Sequence, residues 1–137
     1  MTDHVRIVEV AARDGLQNEA GFVATADKAE LIGRLADCGL RSIEATSFVS
    51  PKWVPQLADA EQLFALLPKD DGRRYPVLVP NLKGYERALA CGARRERADR
   101  RRGFGRRGFG LLTLRALGGP NRATKIARPA FRSPRAG

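Results

Sequence analysis

A guanidinium and a carboxylate stand side by side in the run Arg13-Asp14-Gly15-Leu16-Gln17-Asn18-Glu19. An arginine there can stabilise negative charge that develops on an oxygen in a transition state. A carboxylate beside it suits a hard cation such as Mg²⁺. The same two residues also make an ordinary solvated turn, in which the ion pair contributes little. Glu44 lies between Ile43 and Ala45 in a short apolar run, where a carboxylate needs a partner. It is either an acid–base or supporting group near Arg13 or one half of a buried structural ion pair. The stretch Ser47-Phe48-Val49-Ser50-Pro51-Lys52-Trp53-Val54-Pro55-Gln56 joins a Lys and a Trp to two prolines. It could shape a substrate entrance and contact phosphates, or it could cover the end of the fold with Trp53. Asn81 is either polar lining or the cap of a following helix. His4 is the sole histidine and precedes the first strand, so a surface position is expected for it.

These residues need elements to position them. Residues 5–10, Val-Arg-Ile-Val-Glu-Val, read as a strand rich in β-branched side chains. Thr25 can cap the next element, with Asp27 in its first turn. Ala29, Leu31, Ile32 and Leu35 then recur at helical spacing. Lys28, Glu30, Arg34 and Asp37 fill the other face, and Gly39 closes the helix. Residues 42–46 form a second short strand, residues 59–67 a helix ended by Pro68, and residues 75–79 a third strand stopped by Pro80. Residues 85–91 form a further short helix before Gly92. Strands alternating with helices predict parallel βαβ units. In a (β/α)8 barrel the loops after the strands build the catalytic face. A doubly wound open sheet gives the same coarse pattern.

A fourth strand is due after Ala93, but the chain reads Arg94-Arg95-Glu96-Arg97-Ala98-Asp99-Arg100-Arg101-Arg102. Such a run cannot be buried on both faces of a parallel sheet. The near-repeat Arg101-Arg102-Gly103-Phe104-Gly105 and Arg106-Arg107-Gly108-Phe109-Gly110 follows, then a brief apolar run, residues 111–117. The rest is rich in Pro, Gly and Arg and reads as disordered. The net charge of +10 is therefore uneven. Residues 1–93 hold 11 Lys and Arg against 13 Asp and Glu, whereas residues 94–137 hold 14 against 2.

Two readings of residues 94–137 follow. One is a basic extension that neutralises nucleic-acid phosphates and stacks its Phe residues on bases. The other, which the composition favours, is translation out of frame. Arg, Gly, Ala and Pro make up 29 of these 44 residues, and GC-rich DNA read off-frame produces that mixture. Two cysteines, Cys38 and Cys91, and no secretory or transit pattern at the start point to free thiols in the cytoplasm. No apolar run is long enough to span a bilayer, so no membrane partner is expected.

Residues 5–19, 42–56 and 75–86 together resemble hydroxymethylglutaryl-CoA lyase, in order and at family-like spacing. The similarity runs from about Val5 to Ala93. It implies an α/β fold: the first three βα units of a TIM (β/α)8 barrel, followed by the basic tail. It also implies a metal-dependent enzyme, using Mg²⁺ or Mn²⁺, that cleaves 3-hydroxy-3-methylglutaryl-CoA to acetyl-CoA and acetoacetate in leucine breakdown. On that resemblance Arg13 stabilises the enolate, Asp14 ligates the metal, and Glu44 supports Arg13. Gln17, Ser47 and Asn81 contact the acyl-CoA substrate. The family is expected to be a homo-oligomer, with nucleic acid a partner only through the tail. The family's remaining metal ligands, a His-x-His pair and an Asn, have no counterpart here, nor does the Cys of a later loop. The chain alone is therefore expected to be inactive and poorly stable. The alternatives are a nucleic-acid-binding protein and a lyase relative acting on another acyl-CoA.

Overall fold

The computed structural model describes residues 4–94 and 110–112. Residues 5–10 run beside the following strand region, but only one bridge forms, Glu9 with Ile43 in parallel. Glu9 N donates to Ser42 O at 3.0 Å, and Glu44 N donates to Glu9 O at 2.7 Å. Val5 and Ile7 remain 86% and 70% exposed. The expected first strand is thus reduced to a bridge, because β-branched residues hold a strand only when neighbours cover them.

A π-helical turn, Ala11–Gly15, follows at once. The amides of Arg13, Asp14 and Gly15 all converge on Val10 O. Glu9 Oε1 accepts from Val10 N at 2.9 Å and Ala11 N at 2.8 Å, which holds the chain at the start of that turn.

Helix α1 spans Thr25–Asp37. Thr25 does not cap it: the N-cap position is Ala24, and the Thr25 hydroxyl donates to Asp59 Oδ2 at 2.6 Å. Gly39, at φ +92°, follows the helix end as expected of a residue without Cβ strain. The buried face of α1 is Lys28, Ile32 and Ala36. Placing Lys28 on the exposed face was therefore wrong.

Strand β1 (Thr46–Ser47) pairs in parallel with β2 (Val77–Val79), Thr46 opposite Val77 and Ser47 opposite Leu78. A parallel bridge between Ser42 and Arg74 extends the pairing. Helix α2 (Ala60–Leu66) lies between them in sequence, and α3 (Leu82–Ala90) follows β2. The helix α3 begins three residues before the expected start, because Asn81 caps it: Gly84 N donates to Asn81 Oδ1 at 2.8 Å. A Cβ at Gly84 would collide with the carbonyl oxygen of Phe48, so the glycine lets α3 lie against the sheet.

The core joins Ile32, Ile43, Leu63 and Val77, with Phe48 and Phe64 meeting edge to face at 6.2 Å between centroids. Below it, Arg73 Nη2 donates to Ala36 O at 3.1 Å and ties the start of the third strand region to the end of α1. Asp71 accepts from Arg73 and from the Tyr75 hydroxyl. Burial raises the Asp71 pKa, but those hydrogen bonds outweigh it and the carboxyl stays below its usual range.

The described region is thus a partial α/β barrel. Its sheet has one departure from parallel pairing: β3 (Gly110–Leu112) lies antiparallel on the free edge of β2. Those three residues open the brief apolar run of the tail, and the open edge of β2 offers them unpaired N–H and C=O groups. The expectations for the rest of the tail, residues 95–109 and 113–137, lie outside the described residues. No helix among the described residues is long and apolar enough to cross a membrane.

Candidate functional site

The π-helical turn and β1 lie against each other at one end of the strands. This brings Arg13 from the turn to Glu44 from the strand region that leads into β1. Arg13 Nε donates to Glu44 Oε1, and Arg13 Nη1 donates to Asp14 Oδ1 at 2.9 Å. The Glu44 side chain is 4% exposed, Arg13 16% and Asp14 53%. The ion pair therefore grades from sealed to open along three residues. A guanidinium carries five N–H donors. Glu44 takes Nε and Asp14 takes one on Nη1, and among the described residues Nη2 has no hydrogen-bond partner.

The other expected residues do different work. Ser47 is buried, and its hydroxyl donates to Leu78 O at 3.1 Å across the β1–β2 pair. Asn81 is exposed and acts as the α3 cap. Gln17 is half-buried, just past the turn. The structure unites Arg13, Asp14 and Glu44 and gives Ser47 and Asn81 backbone partners of their own. His4 is exposed, as expected.

Two features escaped the sequence reading. Thr46 Oγ1 is fully buried and has no hydrogen-bond partner among the described residues. Such an orphan usually costs roughly 1–3 kcal/mol unless water or a ligand satisfies it. Lys28 is the second, with its side chain 0% exposed and its ammonium paired to Asp59 at 2.7 Å. Its spacing carried the signal, because residues 28, 32 and 36 share one helical face with Ile32 and Ala36.

A metal site is not assembled here. Among the described residues no three of His, Cys, Asp and Glu come together in a way that could hold an ion. Asp14 alone does not fit Mg²⁺ or Mn²⁺, which take several oxygen ligands.

No family model matches the chain. The mitochondrial hydroxymethylglutaryl-CoA lyase of Arabidopsis thaliana is 59% identical over 90 residues, 66% of this chain and 19% of that protein. The crystal structure of the HMG-CoA lyase from Brucella melitensis aligns at 67% identity with a TM-score of 0.61. It covers 66% of this chain and 32% of that one. An HMG-CoA lyase from Acinetobacter baumannii, solved in complex with coenzyme A and 3-methylmalate, aligns at 42% identity and a TM-score of 0.61, covering 66% and 31%. The chain thus spans about a fifth of the plant relative and about a third of each solved structure. Over about two-thirds of its own length, this chain matches the hydroxymethylglutaryl-CoA lyase family, of whose members it spans a third or less.

Proposed function

We propose that residues 4–94 supply the enolate-stabilising part of a hydroxymethylglutaryl-CoA lyase site. The reaction is retro-Claisen cleavage of 3-hydroxy-3-methylglutaryl-CoA, a step of leucine breakdown. The tertiary hydroxyl loses its proton and becomes the ketone of acetoacetate. The adjacent C–C bond breaks, and its electron pair passes to the thioester fragment as an enolate. Protonation of that carbon gives acetyl-CoA. Negative charge therefore grows on the thioester oxygen, and a fixed cation aimed there lowers the barrier.

The observation that carries this reading is the clamped Arg13 guanidinium. The buried Glu44 fixes its Nε end, Asp14 holds Nη1, and the Nη2 end stays available. The acyl-CoA substrate class is supported by the coenzyme A complex of the Acinetobacter relative. Gln17, Ser47 and Asn81 belong to the proposed substrate contacts. The divalent metal implied by the family would gather substrate oxygens when bound. It requires ligands beyond Asp14, so no step above is drawn through it. Homo-oligomerisation and a cytoplasmic setting are part of the same proposal, the latter supported by the free thiols of Cys38 and Cys91.

The test is a chimera. Residues 4–94 replace the matching segment of the Brucella melitensis lyase, and acetoacetate release is followed. Cleavage of 3-hydroxy-3-methylglutaryl-CoA within about tenfold of the parent enzyme is expected. A folded chimera that binds the substrate without cleaving it overturns the proposal.

A further inference from the structure

The strongest charged cluster outside the Arg13 turn surrounds Lys28. Its ammonium makes two hydrogen bonds and lies under an aromatic ring. One bond runs to Gln56 O at 2.5 Å and one to Asp59 Oδ1 at 2.7 Å. The Phe22 ring lies over the nitrogen, 4.3 Å from Nζ to the centroid. The other Asp59 oxygen accepts from the Thr25 hydroxyl at 2.6 Å. Gln56 adds a fifth link, its Nε2 donating to Glu19 O at 2.9 Å.

The placement of these links is informative. Glu19 and Phe22 lie on the segment joining the Arg13 turn to α1, and Thr25 is the first residue of α1. Gln56 and Asp59 lie on the segment joining the loop after β1 to α2. Two hydrogen bonds, Gln56 Nε2 to Glu19 O and the Thr25 hydroxyl to Asp59, therefore fasten the exit of the first loop to the exit of the second. Lys28 binds both Gln56 O and Asp59, the two residues that make those bonds. Hydrophobic residues of similar size would fill the same space at equal or lower cost, so a buried pair is weak evidence for stability as such. Its directional bonds do what an apolar plug cannot: they fix the relative register of two loops.

We infer that Lys28 and Asp59 are positioning residues, whose buried pair holds the Arg13–Gln17 loop in register with the Ser47–Gln56 loop. Its consequence for acyl-CoA cleavage rests on the lyase reading above; the register itself does not, and the experiment reads it directly. Hydrogen-bonded amides report the order of both loops. Asn18 N and Glu19 N, just past the first loop, donate back to its Gly15 O and Leu16 O, and Trp53 N and Val54 N donate to Ser50 O within the second. Ala45 N and Phe48 N, which donate to Pro76 O and Leu78 O, report the core.

Hydrogen exchange of these amides in the full 137-residue chain is compared with that in the double variant Lys28→Met/Asp59→Leu. The double variant removes the directional bonds and leaves apolar volume, so the fold survives. Exchange at Asn18, Glu19, Trp53 and Val54 is expected to rise at least tenfold, with Ala45 and Phe48 unchanged. A second variant, Gln56→Ala, touches no buried charge and is expected to raise exchange only at Asn18 and Glu19. Unchanged loop exchange in the double variant overturns the inference. So does an equal rise at loop and core amides, because the pair would then be a general stabiliser only.

Discussion

Two charge clusters in this molecule are built from the same chemistry and differ in what surrounds them. Arg13, Asp14 and Glu44 run from a buried carboxylate to one that is 53% exposed. Lys28 and Asp59 are sealed, at 0% and 8%. The first includes a carboxylate open to solvent; the second has its ammonium hydrogen-bonded twice and covered by the Phe22 ring. An enzyme needs both kinds. Open charge meets a substrate, while closed charge holds the open charge in place. Exposure therefore separates a group that reacts from a group that positions, even where the ion pairs look alike.

That contrast breaks most readily at Lys28. Lys28→Met alone leaves Asp59 buried without its cation, and removing one partner of a buried pair costs about 3–5 kcal/mol. Urea unfolding of the single variant should show a loss of that size, and the double variant with Asp59→Leu should recover most of it. A small loss in the single variant would mean that water reaches the pair.

An intermediate case is Arg87 and Glu61, with side chains 25% and 37% exposed. The hydrogen bond from Arg87, at 2.6 Å, holds the Glu61 carboxyl below its ordinary value of 4.5. The unfolded chain binds that proton more tightly. The pair therefore stabilises the fold fully above pH 4.5, and the effect is lost as the pH falls through the lower folded value. Stability measured against pH should lose part of its acid slope in Glu61→Gln; an unchanged slope would remove this pair from the account. The smallest effect belongs to Glu30 and Arg34, one turn apart on α1 and 51% and 64% exposed. Glu30→Gln should cost no more than about 0.5 kcal/mol, and moderate salt should erase the difference.

Much of the reactive cluster was legible in the sequence. A carboxylate between Ile43 and Ala45 had to find a partner, and Arg13 is that partner. Of the two readings of Glu44, the structure shows the buried ion pair. The order of strands and helices, Gly39 after α1 and the end of α2 before Pro68 were also readable, since these follow from local spacing and backbone freedom. The closed cluster was misread. Lys28 was assigned to solvent by its charge, although residues 28, 32 and 36 form one face. Its burial depends on Gln56 and Asp59, which are close in space and distant in sequence. The first strand was overestimated because propensity does not supply neighbours. Asn81 as the cap of the following helix, one of its two readings, is what the structure shows, although the helix itself was expected to start three residues later. The pairing of residues 110–112 with β2 had no local signal, since an open sheet edge accepts many sequences.

The central claim is that Arg13 stabilises charge which develops on the thioester oxygen. Its most direct test is Arg13→Lys in the chimera with the Brucella melitensis lyase. Lysine keeps a cation beside Glu44 and so preserves the fold, but it loses the planar fork that meets an oxyanion while bonded to two carboxylates. The account predicts a fall in kcat of about 10²–10³-fold, with KM and melting temperature nearly unchanged. A lysine variant with undiminished kcat would contradict it.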